Sequence, residues 1–255
     1  MDVTAIEELV SKGESFEEKV DGLFKLVQGF GFDALIYDYT PIRYDLDGQI
    51  MIPSVLELRN VDESMRDYWS GQGYIRIDPV QRVALRTTAP FFWSYDPQAE
   101  TLIRTFMTED CAPVAAFLAE RELTAGVTVP IHLPQGDYAT VTGIMRGNRR
   151  KLAKDASHYL ADFGLAAHLF QREAEAALTP EQRYAGLVRL TARERECLAH
   201  SAEGLSAKEI SRVIGRSVPT VVMHLNAATR KLGAKNRAHA AVRAAHLRLF
   251  DQPSH

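Results

Sequence analysis

The C-terminal part of the chain is organised by residues 190–232, which read LTARERECLAHSAEGLSAKEISRVIGRSVPTVVMHLNAATRKL. Thr191 and Glu194 have the spacing of a capping box, in which a hydroxyl and a carboxylate satisfy free backbone N–H groups at the start of a helix. Ser206 and Glu209 repeat that spacing, and Ser217 is a third candidate cap. The stretch therefore predicts three short helices in succession.

Three glycines predict where these helices end. Gly204, Gly215 and Gly233 each follow the last periodic apolar residue of a helix, where a left-handed backbone favours glycine. Gly215-Arg216-Ser217 then forms the short turn that is typical of a helix-turn-helix. In that motif the third helix faces outward and can enter the major groove of DNA. An ordinary helical bundle has similar spacing, so the pattern alone leaves both interpretations open.

The distribution of charge favours the nucleic-acid interpretation. Residues 190–255 contain eleven Lys and Arg and five Asp and Glu, a net charge of +6. Residues 1–189 contain nineteen and twenty-eight, a net charge of −9. A basic helical module attached to an acidic body indicates an electrostatic surface for phosphate.

Several motifs in this region resemble the DNA-binding domain of LuxR-type regulators: LTARERECL, EGLSAKEIS and PTVVMHLNAATRKLGAKNRAHA. Glu194, Leu198 and Gly204 stand where that family keeps Glu, Leu and Gly. The resemblance implies an all-α, four-helix domain over residues 190–255, with a fourth helix at 236–249 that pairs two copies. The implied partner is double-stranded DNA, bound by a homodimer on a two-fold operator.

The apolar stripe on the third predicted helix divides its faces. Val221, Leu225 and Leu232 are predicted to face the domain core. The outward candidates for DNA contact are Thr220, Val222, Met223, Asn226 and Arg230. Phosphate contacts are predicted for Lys208, Arg230, Lys231 and Lys235, although solvated basic side chains would look the same. Relatives often hold Lys or Arg at the position of Val222, so the DNA sequence preference is expected to differ.

The length of 255 residues allows two domains, each able to bury a core. We predict a sensor domain over residues 1–176, a polar linker over 177–189 and the DNA-binding domain over 190–255. The two cysteines, Cys111 and Cys197, fall in different halves and suggest neither a disulfide framework nor a metal site. No cofactor is predicted. The sequence shows no signal peptide and no apolar run of transmembrane length, so a soluble cytoplasmic protein without membrane contact is expected.

The first half of the chain predicts a mixed fold. Strands are predicted at 32–39, 50–58, 126–132 and 138–145, and helices at 6–30, 62–70, 78–85, 97–121 and 152–176. Pro113 is expected to break the helix at 97–121. This order predicts an α+β fold, in which helices sandwich an antiparallel sheet (α-β-α) and leave a ligand cavity.

Residues 65–94, MRDYWSGQGYIRIDPVQRVALRTTAPFFWS, resemble the core of the autoinducer-binding domain of the same family. Asp78-Pro79, Trp93 and Gly126 match positions that the family keeps. In relatives the matching Asp accepts from the amide N–H of the ligand, and the matching Trp packs over its head group. Asp78 can also be read as a simple helix cap. Tyr74 and Thr142 are further candidates for the cavity wall.

Two departures from the family pattern bear on the ligand. Most acyl-homoserine-lactone receptors carry Trp, which donates to the lactone carbonyl, at the position of Met65, and Tyr at the position of Trp69. Met has no N–H to donate. The Met/Trp pair resembles the LuxR solos of plant-associated bacteria, which implies a low-molecular-weight plant compound as the signal. An acyl-homoserine lactone is the alternative ligand.

Other function classes find little support in the sequence. It contains no HExxH, P-loop, GxSxG or GxGxxG motif, so an enzyme is not predicted. A phosphorylated response regulator would need alternating strand-helix units and an acidic phosphorylation pocket, and the first half clearly shows neither. The sequence therefore predicts a ligand-responsive, DNA-binding transcriptional regulator.

Overall fold

The computed structural model describes residues 3–134, 136–146 and 149–250, with the backbone alone for residues 149–158. The chain forms two compact units. The first comprises Met1–Arg43 and Ile50–Arg183, and the second comprises Tyr44–Gln49 and Tyr184–His255. Among the described residues, no helix has both the length and the apolar character needed to cross a bilayer.

The first unit contains seven described helices and five strands. In chain order these are α1 (Val3–Ser11), α2 (Phe16–Gly29), β1 (Ala34–Thr40), β2 (Val55–Arg59), α3 (Ser64–Arg66), α4 (Pro79–Ala84), β3 (Phe91–Ser94), α5 (Ala112–Glu120), β4 (Ala125–His132), β5 (Tyr138–Ile144), α6 (Arg149–Ala177) and α7 (Pro180–Arg183). A π-helical turn, Asp67–Gly71, continues α3. Short 3-10 turns cover Tyr74–Arg76, Leu102–Phe106 and Glu109–Cys111.

The five strands form one antiparallel sheet in the order β2-β1-β5-β4-β3. Side chains alternate between its two faces, as the period of a strand requires. On β1, Leu35, Tyr37 and Tyr39 join the core formed with α1, α2 and α6. Ile36 faces the other way, toward a second core formed with the π-helical turn, α4 and α5. The predicted α+β fold, a sheet sandwiched by helices, is confirmed.

The segment between β2 and β4 differs most from the sequence prediction. Phe91–Ser94 forms the unpredicted edge strand β3, which pairs with β4. The long helix expected at 97–121 is two 3-10 turns followed by α5. Pro113 lies in the first turn of α5, where a missing N–H costs no helical hydrogen bond. The strand expected at 50–58 is shorter because regular pairing with β1 begins at Val55.

The long helix α6 covers one face of the sheet. Phe163, Ala167, Phe170 and Ala174 are buried along one side, as the periodicity predicts. Leu152 and Ala156, at the start of the predicted helix, lie outside the described side chains. Gly164 lies inside α6. An added Cβ there would be 3.0 Å from Cγ of Pro90, the residue before β3, and this close approach explains the glycine.

The second unit contains α8 (Ala192–Ala202), α9 (Ala207–Val213), α10 (Val218–Lys231) and α11 (Arg237–His246). Both predicted capping boxes are present, and the Ser217 hydroxyl accepts from the Thr220 backbone N–H. The three predicted helix-ending glycines, Gly204, Gly215 and Gly233, have φ of +95°, +65° and +58°. The local signals in the sequence therefore set the helix boundaries here.

One apolar residue of this unit, Val213, is exposed although it has helical spacing from a buried residue. Ile210 is buried, but Val213, three residues later on α9, is 58% exposed. Val213 is the last residue of α9, a helix of only two turns, so the stripe runs out of neighbours there. The predicted core residues of α10, Val221, Leu225 and Leu232, are all buried.

Candidate ligand cavity and nucleic-acid interface

A small cavity lies between the sheet and the helices that cover its second face. Its walls are formed by Ile36, Met65, Trp69, Asp78, Val80, Gln81, Trp93, Leu118, Leu123, Thr142 and Ile144. Five of the six residues predicted for ligand binding are in this set: Met65, Trp69, Asp78, Trp93 and Thr142. Residues far apart in the sequence therefore meet around one mostly apolar space with a few polar groups, which is the usual character of a small-molecule site.

Asp78 is both the N-cap of α4 and part of the cavity wall. Its Oδ1 accepts from the Val80 backbone N–H at 2.8 Å and from the Tyr95 hydroxyl at 2.5 Å. Among the described residues, Oδ2 has no hydrogen-bond partner. Burial raises the pKa of Asp78 to about 6, although these two hydrogen bonds oppose the rise. One oxygen thus anchors the helix while the other is available to a ligand donor.

Trp93 forms a fixed aromatic wall. Its indole Nε1 donates to the Thr128 hydroxyl at 2.9 Å, and the Thr128 and Thr142 hydroxyls are 2.9 Å apart. The indole lies against Gly126 on the paired strand, where an added Cβ would be 2.9 Å from Cζ2 of Trp93. A side chain at Gly126 would displace the ring, so the glycine permits the close packing of Trp93 on β4.

Met65 and Trp69 line the cavity from α3 and the π-helical turn that follows it. Met65 is 1% exposed and contributes no hydrogen-bond donor. The indole Nε1 of Trp69 is buried, and no described residue accepts from it. A buried donor without a partner is costly, so this N–H marks where a ligand acceptor would be favoured.

Tyr74 differs from the expectation, because it is not among the residues that line the cavity. Its ring stacks on Tyr68 with centroids 4.1 Å apart, and Tyr68 in turn stacks on Phe117. Gly73 precedes it with φ of +73°, which starts the 3-10 turn Tyr74–Arg76. Tyr74 therefore belongs to an aromatic stack beside the cavity.

A second buried carboxyl group lies next to the cavity on β1. Asp38 is 2% exposed, and its Oδ2 accepts from Gln81 Nε2 at 3.1 Å and from the Thr140 hydroxyl. Burial raises the pKa of Asp38 to about 7, and the nearby negative charge of Asp78 adds to the rise, while the Thr140 and Gln81 hydrogen bonds lower it. The sheet face beside the cavity is therefore rich in acceptors.

In the second unit, α10 presents a largely exposed polar and apolar face. Val222 is 40% exposed, Met223 is 57% exposed, and Asn226 and Arg230 are exposed as well. Thr220 is half-buried and its hydroxyl lies 2.8 Å from that of Ser217. The predicted contact residues thus lie on the side of α10 opposite its buried stripe.

The predicted phosphate-binding cations differ in their surroundings. Lys208 and Lys235 are exposed. Lys231 is instead paired with Glu194, with Nζ and Oε2 2.7 Å apart. Burial by itself would raise the pKa of Glu194, but Lys231 and the Thr191 backbone N–H hold it below its ordinary value. Lys231 therefore fastens α10 to the start of α8, and its contact with phosphate stays a prediction.

Comparison with known proteins covers both units. Residues 15–174 match the autoinducer binding domain, and residues 188–244 match the bacterial regulatory proteins of the luxR family. The chain is 32% identical to the transcriptional activator protein BjaR1 of Bradyrhizobium diazoefficiens, over 83% of this chain and 80% of that protein. It is 30% identical to the quorum sensing-dependent regulator RpaR of Rhodopseudomonas palustris, over 88% and 85%. The chain belongs to the LuxR family of transcriptional regulators.

The LuxR-family assignment agrees with the fold. The crystal structure of SdiA from Escherichia coli has the same overall fold, with a TM-score of 0.60 and 19% sequence identity over 97% of both chains. As a member of the family, the protein is a ligand-binding transcriptional regulator that binds DNA. The family comprises regulators rather than enzymes, in agreement with the sequence analysis.

Three polar residues at or beside the cavity of this LuxR-family regulator were not predicted from the sequence: Asp38, Gln81 and Tyr95. For Asp38 a signal was present, since an aspartate within the buried strand sequence ALIYDYT is unusual and shares the parity of Ile36. Tyr95 lies two residues after Trp93, which places it on the same side of the chain. Gln81 lies one turn after Asp78 on α4, on the same helix face.

Proposed function

We propose that this regulator senses a low-molecular-weight plant compound, and that the bound compound controls its attachment to a two-fold operator as a homodimer. The observation that carries the choice of ligand is Met65 in the cavity wall. A lactone carbonyl at that wall would lose its hydrogen bond on leaving water. Such an unpaired group costs about 1–3 kcal/mol, or roughly tenfold to a hundredfold in affinity.

Trp69 also favours a ligand other than a lactone, because it supplies a hydrogen-bond donor where Met65 supplies none. Its unpartnered Nε1 supplies a donor four residues after Met65, at a different point on the cavity wall. A ligand that satisfies this donor and the free Oδ2 of Asp78 would need its acceptor and donor in a different arrangement from a lactone. The polar groups of the cavity therefore favour another class of small molecule.

A double exchange tests the ligand assignment. The variant Met65→Trp/Trp69→Tyr restores the family pattern. The side chain at 65 becomes larger and the side chain at 69 becomes smaller, which limits the net change in cavity volume. We expect the variant to gain at least tenfold in affinity for acyl-homoserine lactones and to lose its response to plant extract. The control Met65→Leu should gain nothing. Isothermal titration with a series of lactones measures both, and tight lactone binding by the wild type would refute the proposal.

An acyl-homoserine lactone remains the second candidate ligand. It is favoured by the similarity to regulators named for quorum sensing, such as RpaR. It is also compatible with Asp78, which the family uses to accept from a ligand amide. The titration above separates the two candidates directly.

For DNA binding we propose that α10 enters the major groove. Asn226, Val222 and Met223 would meet base edges, with Val222 or Met223 able to contact a thymine methyl group. Thr220, Lys208, Arg230 and Lys235 would meet the phosphate backbone, and Lys231 would act on α8 instead. Exposure of this face of α10 and the positive net charge of the domain support the assignment.

Homodimerisation is proposed through α11. Val242 is 60% exposed, and Ala238 and Ala245 are exposed at helical spacing on the same side. Ala240 and Ala244 occupy the buried side. A small apolar face that the domain leaves open allows two helices to approach closely, which supports a pair of DNA-binding domains on two half-sites.

A further inference from the structure

The sheet face beside the cavity carries Asp38 one register step beyond the cavity wall. Asp38 lies opposite Thr140 across β1 and β5, and the adjacent pair on the same face is Ile36 and Thr142, both of which line the cavity. Gln81, another wall residue, donates to Asp38. Asp38 is therefore one register step from the cavity wall and is joined to it by Gln81, although it does not itself line the cavity.

Asp38 and Asp78 share an unusual hydrogen-bonding pattern. Both hydrogen bonds to Asp38 reach Oδ2, and both hydrogen bonds to Asp78 reach Oδ1. Among the described residues, no donor reaches Asp38 Oδ1 or Asp78 Oδ2, because each carboxyl group accepts through its other oxygen. Each buried carboxyl group is thus held in place by one oxygen and leaves the other without a donor.

The described part of the protein supplies no buried cation for these carboxyl groups. Among the described residues, Lys19 is the only buried Lys, Arg or His. It pairs with Glu173 on the opposite face of the sheet. Arg82 on α4 attracts the Asp78 carboxylate, but it is partly exposed and pairs with Asp110 at 2.7 Å. Buried carboxylates are normally paired, so a positive charge from outside the chain would be strongly favoured here.

Trp69 provides an independent indication that a polar ligand fills the space. It is 5% exposed, lines the cavity, and its indole N–H has no acceptor among the described residues. A ligand amide can use its carbonyl for this N–H and its own N–H for Asp78 Oδ2. Beside the cavity, Asp38 Oδ1 then still lacks a donor.

We propose that the ligand is an amide that also carries a protonated amine, and that Asp38 is the binding site for the amine. This inference rests on the proposed ligand-sensing function and specifies its ligand. Gln81 and Thr140 act as positioning residues that fix the Asp38 carboxyl group. An alkyl group at the same place would leave the carboxyl oxygen unpaired, so the site selects against a purely aliphatic substituent.

Two probes that differ in one group test the proposal. N-(2-aminoethyl)butanamide carries an ammonium group where N-propylbutanamide carries a methyl group, and both present the same amide. The two tryptophans of the chain, Trp69 and Trp93, both line the cavity, so intrinsic fluorescence of the full-length protein reports on it directly. We expect the aminoethyl probe to bind about tenfold to a hundredfold more tightly, as for a hydrogen bond with a charged group.

The variant Asp38→Asn should remove this preference, so that the two probes bind with similar affinity. The control Asp21→Asn removes the same charge from an exposed position on α2 and should keep the preference. Equal binding of the two probes to the wild type, or no binding of the aminoethyl probe, would overturn the proposal without any variant. The sensing function has a separate readout, because plant extract that still changes DNA affinity would uphold it in either case.

Discussion

At the scale of single residues, Asp78 combines a structural and a recognition role in one carboxyl group. We predict that Asp78→Asn keeps the fold, because an amide oxygen can still accept from Val80 and Tyr95. Its amide NH₂ would replace the free oxygen and face the ligand N–H with another donor. The response of DNA binding to plant extract should therefore fall at least tenfold, measured by fluorescence anisotropy. An undiminished response at unchanged melting temperature would remove Asp78 from the ligand site.

Asp38 predicts a pH dependence of stability whose sign follows from its environment. Burial raises the pKa of its carboxyl group from 3.8 to about 7, so the folded state holds the proton more tightly than the unfolded chain. The favourable contribution is complete below pH 3.8 and is lost as the pH rises to about 7. Asp38→Asn should therefore increase the free energy of unfolding more at pH 8 than at pH 5. Urea titrations at both pH values measure this, and parallel profiles for both proteins would contradict it.

Asp38 also shows why part of the site could not be predicted from the sequence. Asp78, Trp93 and Met65 were found because they belong to a linear pattern with family spacing. The partners of Asp38 are Gln81 and Thr140, which lie 43 and 102 residues away in the sequence. Their meeting depends on strand register and on the packing of α4 over the sheet, neither of which a local pattern specifies.

At the scale of elements, α10 carries two neighbouring cations with different roles. Arg230 is exposed, whereas Lys231 pairs with Glu194 on α8. We predict that Arg230→Met weakens DNA binding and lowers its salt dependence by about one ion. Lys231→Met should leave that slope unchanged and lower the melting temperature, because Glu194 is buried and would lose its counter-charge.

Binding titrations from low to high salt, with thermal unfolding of the same proteins, check this pair of variants. Each variant serves as the matched control for the other, since both remove one positive charge from the end of α10. A reduced slope for Lys231→Met would return this lysine to the DNA contact surface.

The elements that the sequence predicted best are those with both ends marked locally. Helices α8, α9 and α10 begin at predicted caps and end before predicted glycines. The segment between β2 and β4 lacks such signals, and its apolar residues fit helix and strand equally well. The short strand β3 forms because β4 offers a free edge, which is a tertiary contact that a single segment cannot reveal.

At the scale of the whole molecule, the proposed homodimer predicts that one surface valine matters and another does not. Val242 on α11 and Val213 on α9 are 60% and 58% exposed. We predict that Val242→Glu shifts the protein toward the monomer and weakens binding to a two-half-site operator at least tenfold, because a carboxylate would be buried between two helices. Val213→Glu should leave the mass measured by sedimentation unchanged. An intact Val242→Glu dimer would exclude α11 as the pairing surface.

The side chains of β1 alternate between two faces, which separates the residues that stabilise the fold from the residues that determine ligand recognition. Residues 35, 37 and 39 build the apolar core beneath the long helix, whereas residues 36 and 38 point toward the sensing space. Substitution at an even position can therefore change which molecule is recognised while the odd positions keep the domain folded. Proteins that inherit this strand can evolve specificity for a different ligand through single substitutions, without any change in the core that keeps the domain folded.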